Sequence, residues 1–313
     1  MSSLINALPG AVAQGLIWGI MAIGLYITFK ILEISDLTVD GSFCTGGAVC
    51  AMMLVGGCNV WLSLLVAFLA GMAAGFVTGF FHTKLKIPAI LSGILTQLAL
   101  WSVNLAIMDM KANQALNVNN YEMLVSLRYL QDVAKGDRPF YQHPLITIGL
   151  FTAVLIAVLY WFFGTELGSS VRATGANERM ASAQGINTNF NMVLGLMISN
   201  GMVALSGALL AQFQGFADIN MGRGAIVIGL AAIIIGQVTF GKIFRNFALK
   251  LTAVSLGAII YYVVIQAVIS LLDINSNYLK LISALIVAVF LSVPNLRGHA
   301  HPKKHTGKES SHA

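Results

Sequence analysis

Charge is what this chain is poorest in: Asp, Glu, Lys and Arg together supply 10% of its 313 residues. Water-soluble domains carry about 25%, so a soluble globular fold is excluded. Cysteine is almost as scarce. Cys44, Cys50 and Cys58 lie in or beside apolar sequence without zinc-site spacing, which excludes a disulfide framework. The signatures of hydrolytic chemistry are missing as well: no Ser/His/Asp elbow, no HExxH pair, no intramembrane carboxylates paired for catalysis. Gly236-Gln-Val-Thr-Phe-Gly-Lys-Ile243 comes near a phosphate-binding loop. It ends in Ile where the magnesium-binding Ser or Thr belongs, and no soluble strand precedes it. The expectation is a chain that is not itself an ATPase or other enzyme and binds no cofactor. The formal charge is +6, but the basic residues form no stripe or aromatic-rich face, which argues against nucleic acid as a partner.

Apolar residues make up 57% of the chain, and the mean hydropathy is +0.81. The apolar runs fall at about 11–30, 40–56, 60–81, 88–108, 145–164, 190–212, 225–240, 247–271 and 279–294. Most approach the ~20 residues a helix needs to cross ~30 Å of hydrocarbon, and none alternates as a membrane barrel strand does. The reading is all-α: a polytopic transmembrane helical bundle of roughly eight to ten segments in the lipid bilayer. One membrane domain would span 1–296, with a long loop at 109–144 and a polar loop at 165–189. A basic tail would follow at 297–313. Ala11–Phe29 lacks a basic flank and a cleavage site, so it reads as a retained span.

Nine crossings put the termini on opposite sides, and charge orients them. With the tail inside, the inner loops hold Lys30, Lys84, Lys86, Arg172, Arg179, Lys242, Arg245 and Lys250. The tail adds Arg297, Lys303, Lys304 and Lys308. Most of the remaining basic residues sit in the long loop 109–144, which weighs little in the positive-inside count. That loop then lies outside, with room for a short helix facing a solute-delivery protein. His299, His301, His305 and His312 belong to the tail. They fit either metal binding or an irregular basic segment at the membrane surface.

Polar residues inside the apolar runs mark a candidate solute path. Ile34-Ser-Asp-Leu-Thr-Val-Asp-Gly-Ser-Phe43 opens the second run with two acids. Either this helix is broken or re-entrant and lines a cavity, or Asp36 and Asp40 cap it at headgroup level. In the fourth run Gly93, Gln97, Trp101 and Asn104 share one helix face at spacings of four and three. Such a stripe suits a solute pathway or hydrogen bonds between helices. Gly71, Gly75 and Gly79 make a smooth packing face. Ser199, Asn200, Gly201, Ser206 and Gly207 load the sixth run with small and polar residues. The candidate path is Asp40, Gly41, Ser42, Gln97, Trp101, Asn104 and Asn200.

The polar stretch Gly164–Asn191 is the most informative. Asn177 suits an N-cap, Glu178 a first turn and Gly185 a helix stop, leaving about two turns. So short a helix is unstable alone in water and must be held by its flanks. The pattern Arg172-Ala-Thr-Gly-Ala-Asn-Glu-Arg-Met-Ala-Ser-Ala-Gln-Gly185-Ile-Asn resembles the coupling loop of ATP-binding-cassette permeases. The likeness is to the branch with the branched-chain amino acid and ribose permeases. Ser206-Gly-Ala to Ala231-Ala-Ile-Ile-Ile-Gly236 adds to it, and DLTVDGSF resembles a signature of amino-acid-type permeases, some linked to aromatic amino acids.

The resemblance implies an importer subunit working by alternating access. Its partners would be a cytoplasmic ATP-binding subunit carrying ATP and Mg, a second permease copy and an extracytoplasmic solute-binding protein. Arg172, Asn177, Glu178, Arg179, Met180, Ala181, Ser182, Ala183 and Gly185 would form the ATPase contact. The alternative is a secondary transporter driven by an ion gradient, with Asp40 as its ion site.

Overall fold

The computed structural model of the chain describes residues 2–117, 121, 123–135, 143–241, 243–244, 246–272 and a few positions between 281 and 288. Eleven α-helices lie among these residues. α1 (Ser2–Tyr26) runs into a π-helical turn at Ile27–Ile31, and α2 (Val39–Val55), α3 (Val60–Thr83) and α4 (Ala89–Ile107) follow. α5 (Leu127–Lys135) and α6 (Pro144–Gly164) precede the polar loop, which folds as α7 (Glu166–Ala176) and α8 (Glu178–Ala183). α9 (Thr188–Gln214), α10 (Ala225–Phe240) and α11 (Phe247–Leu272) complete the bundle.

Six of these helices are long and apolar enough to span a membrane, and α2 and α10 are shorter apolar helices. The chain is therefore a polytopic membrane bundle. The apolar run at 279–294 lies largely outside the described residues, as does the tail 297–313 with its histidines. α1 begins well before residue 11, carrying Pro9 within its early turns.

α1 and α9 are the most buried spans, and α6 is the most exposed. The small residues of α9 explain its central place. Cβ atoms added at Gly71 and Gly75 of α3 would collide with Asn200 O and Leu196 O of α9, so the glycine face of α3 lies directly against the α9 backbone. Ser199 Oγ donates to Gly24 O and Ser206 Oγ to Ile17 O, each at 2.7 Å, tying α9 to α1. Each hydroxyl thus gains an acceptor where lipid offers none.

Two features depart from the sequence reading. Asn113–Ala115 and Phe216–Asp218 pair as a short antiparallel ribbon, β1 and β2, in a chain expected to be wholly helical. The ribbon ties the 109–144 loop to the α9–α10 turn, so both lie at one end of the bundle. α5 supplies the short helix expected in that loop. The second departure is α7, where only α8 was expected. Gly168 and Gly175 lower helix propensity, which hid it. In the fold those glycines give close approach: a Cβ at Gly168 would strike Phe162 O, and one at Gly175 would strike Ile31 O. α7 therefore rests on the π-turn at the end of α1.

Candidate solute path and coupling loop

The path is built around two helices that start inside the bundle. α2 has 17 residues and α10 has 16, about 24–26 Å at ~1.5 Å per residue, short of the ~30 Å core. Their N-termini meet. Asp40 Oδ2 accepts the Gly224 N–H and Oδ1 the Ile226 N–H, each at 3.0 Å. A carboxylate there satisfies the open amides of α10 and suits the positive end of its dipole. Asp40 thus caps a helix, but α10 and not its own.

Beside this junction lies a cavity of about 250 Å³, lined by Asp40, Gly41, Cys44, Gln97, Trp101, Asn104 and Arg223 among others. That is the volume of roughly eight waters at ~30 Å³ each, the scale of one small solute. Five of the seven candidate path residues therefore meet in one place. Gln97 lies near the middle of α4, and the indole of Trp101 is 46% exposed at the cavity rim. Asn104 is buried; its Nδ2 donates weakly to Gly41 O at 3.4 Å, and its Oδ1 has no hydrogen-bond partner among the described residues. A buried amide oxygen left unpaired costs about 1–3 kcal/mol, and a bound donor would recover it.

Ser42 and Asn200 do not line this cavity. Ser42 Oγ donates to Asn200 Oδ1 at 2.6 Å, and Asn200 Nδ2 donates to Asp36 Oδ2 at 2.7 Å. Asp36 Oδ1 accepts the Thr38 N–H at 2.9 Å. Thr38 Oγ1 bonds Thr78 Oγ1 at 2.7 Å, and Thr78 Oγ1 donates to Thr96 Oγ1 at 2.9 Å. This buried chain ties the break between α1 and α2 to α9, α3 and α4. Asp36, at 1% exposure, is the acid most withdrawn from solvent among the described residues, and sequence reasoning placed the weight on Asp40 instead. Arg223 was missed because Met221-Gly-Arg-Gly224 lies between the apolar runs 190–212 and 225–240, where no candidate path residue was sought. Nothing in the sequence shows that the turn folds down against α2.

In the polar loop, Asn177 Oδ1 accepts the Met180 N–H at 3.0 Å, the N-cap expected from its position. Gly185 has φ +81°, the left-handed stop that favours glycine. Glu178, Arg179, Met180, Ser182 and Ala183 are exposed along α8, whereas Ala181 is buried against its own chain. Arg172 lies on α7, exposed, with its guanidinium donating to Ser169 Oγ at 3.2 Å. Asn191 Nδ2 donates to Thr174 Oγ1 at 3.0 Å, pinning α7 to the start of α9.

Known proteins share this arrangement of sequence. The family model described as branched-chain amino acid transport system / permease component matches residues 8–291. The chain is 39% identical over 296 residues to a tyrosine transport system permease protein of Clostridioides difficile, covering 95% of this chain and 92% of that one. It is 36% identical to an uncharacterised protein of Rickettsia prowazekii, covering 92% and 97%. A ribose import permease protein of Haemophilus influenzae is 24% identical, with 89% and 82% covered. A family match over residues 8–291, with a 39% identical relative covered almost end to end, makes this chain a transport subunit: it belongs to the branched-chain amino acid permease family of ATP-binding-cassette transporters.

Proposed function

We propose that this chain is the membrane subunit of an importer that carries an amino acid, preferably an aromatic one, across the cytoplasmic membrane by alternating access. The observation that carries the substrate class is the lining of the 250 Å³ cavity. Asp40 and Arg223 stand at one recess, opposite charges suited to the ammonium and carboxylate of a zwitterion. Trp101 gives a flat apolar face for a ring, and Gln97 and Asn104 offer amides. The relative named for tyrosine transport agrees with this choice.

ATP and Mg would bind a separate subunit docked against the exposed side of α8, with the tail on that same inner side. A solute-binding protein would deliver at the opposite end, where α5 and the β1–β2 ribbon lie. Trp101 and the exposed leucines of α4, Leu91, Leu95 and Leu98, leave the cavity with an open flank. A second copy of the chain would close it, and paired symmetric assembly is common.

The test is solute-stimulated ATPase activity of the complete complex in liposomes, with the binding protein present. Tyrosine and phenylalanine should stimulate more than leucine, and ribose should not stimulate. Stimulation by ribose alone would overturn the amino-acid reading.

A further inference from the structure

A second recess lies at the other end of the bundle, by the α1 π-turn and α7. Its volume is about 570 Å³, and its lining includes Lys30, Arg172 and Lys250 from three separate elements, against one acid, Glu33. All three cations are exposed. Lys30 Nζ lies 5.9 Å from the Phe29 ring centroid, and Arg172 donates to Ser169 Oγ. Neither contact supplies a negative charge.

Next to it lies a recess of about 560 Å³ that shares Arg172, Asn246 and Phe247 and extends to Tyr160 and Trp161 of α6. Trp161 is 72% exposed, near the C-terminal end of the least buried of the candidate spans. Aromatic side chains at the end of a lipid-facing span mark the level of the headgroups. The two recesses therefore lead from a cation cluster to a wall that acyl chains would cover.

We propose that this pair of recesses binds the headgroup of an anionic phospholipid of the inner leaflet. The phosphodiester would sit among Lys30, Arg172 and Lys250, with the chains along α6 below Trp161. Basic pockets between helices on the cytoplasmic side suit such headgroups. The chain's own tail is an unsuitable occupant, since Arg297, Lys303, Lys304 and Lys308 would meet like charge. Arg172 also belongs to the set that the family resemblance assigns to the ATPase contact, so the test variants leave it unchanged. The assignment to the inner leaflet rests on the reading of α8 as the ATPase-docking helix.

The test places the purified full-length chain, with any partner subunits it retains, in phosphatidylcholine nanodiscs containing some phosphatidylglycerol. Native mass spectrometry then measures the retained lipids. The wild type should retain phosphatidylglycerol preferentially, and millimolar inorganic phosphate should not displace it. K30Q/K250Q should weaken that preference about thirty-fold, from ~1 kcal/mol per cation and ~1.4 kcal/mol per tenfold. K30R/K250R should keep it, which controls for folding. Equal retention of both lipids by the wild type, or an unchanged preference in K30Q/K250Q, would overturn the proposal. Displacement by inorganic phosphate would also overturn it, by showing an anion site without lipid specificity.

Retained ATPase subunit is measured in the same samples. If K30Q/K250Q loses that subunit while keeping its lipid preference, the recess is a protein contact and the proposal fails. If no ATPase subunit accompanies even the wild type, the importer reading fails while the lipid preference still stands or falls on its own.

Discussion

Asn200 holds a carboxylate and a hydroxyl at once, and that double role sets its importance. Its amide donates to Asp36 and accepts from Ser42 inside the bundle. Asn200→Leu would leave Asp36 short of one donor and Ser42 without its acceptor. An unsatisfied buried group costs about 1–3 kcal/mol, so this variant should unfold at a visibly lower temperature in detergent than the wild type. An unchanged melting temperature would show that the Asp36 network adds nothing to stability. Gln97 belongs to the cavity instead, half-buried on α4 with no packing role of that kind. Gln97→Leu should alter the solute dependence of transport while the complex assembles normally. Unchanged kinetics at normal expression would make that face a packing surface. The spacing of Gln97, Trp101 and Asn104 was legible because helix periodicity puts them on one side. The Asp36–Asn200 bond was not, because 164 residues separate its partners and no local pattern links them.

At the level of elements, α8 is the segment to which the proposed function gives a mechanical job. Its length, cap and stop were legible, since each depends on residues within a few positions of one another. Its orientation was not. The six-residue helix turns Ala181 inward and Ala183 outward, which separates two substitutions that the sequence treats alike. Ala183→Trp adds bulk on the exposed side. Overpacking of a fitted contact costs about 1–3 kcal/mol, and ~1.4 kcal/mol is tenfold in affinity. This variant should express normally yet retain the ATPase subunit about tenfold less well. Ala181→Trp should instead disturb the chain's own fold and lower its yield. Equal retention of the ATPase subunit by Ala183→Trp and the wild type would remove the exposed face of α8 from the contact. The glycines of α7 show the opposite limit of legibility. They look like helix breakers in sequence, yet they serve close packing against Phe162 and Ile31.

For the whole molecule, the order of the eight apolar segments up to α11 was legible because hydrocarbon demands long uncharged runs. The depth at which α2 and α10 begin was not, because it depends on Asp40 meeting amides far along the chain. The fold puts the β1–β2 ribbon at one end and α7 and α8 at the other, the two ends that the charge-based expectation assigns to opposite sides of the membrane. Ser182 and Lys111 are exposed at these two ends and report on it directly, whereas Thr174 is buried and would not. In intact cells, cysteine at Lys111 should react with an impermeant thiol reagent and cysteine at Ser182 should not. Labelling of Ser182→Cys from outside would invert the chain and end the coupling reading of α8.

The driving force of transport tests the central assignment most directly. The complex should be reconstituted in proteoliposomes with the binding protein and tyrosine on its outer face, and all ion gradients collapsed. The permease assignment predicts tyrosine accumulation only when ATP reaches the ATPase subunit, with Ala183→Trp suppressing it. Accumulation by the permease chain alone, driven by an imposed proton or sodium gradient without ATP, would contradict it.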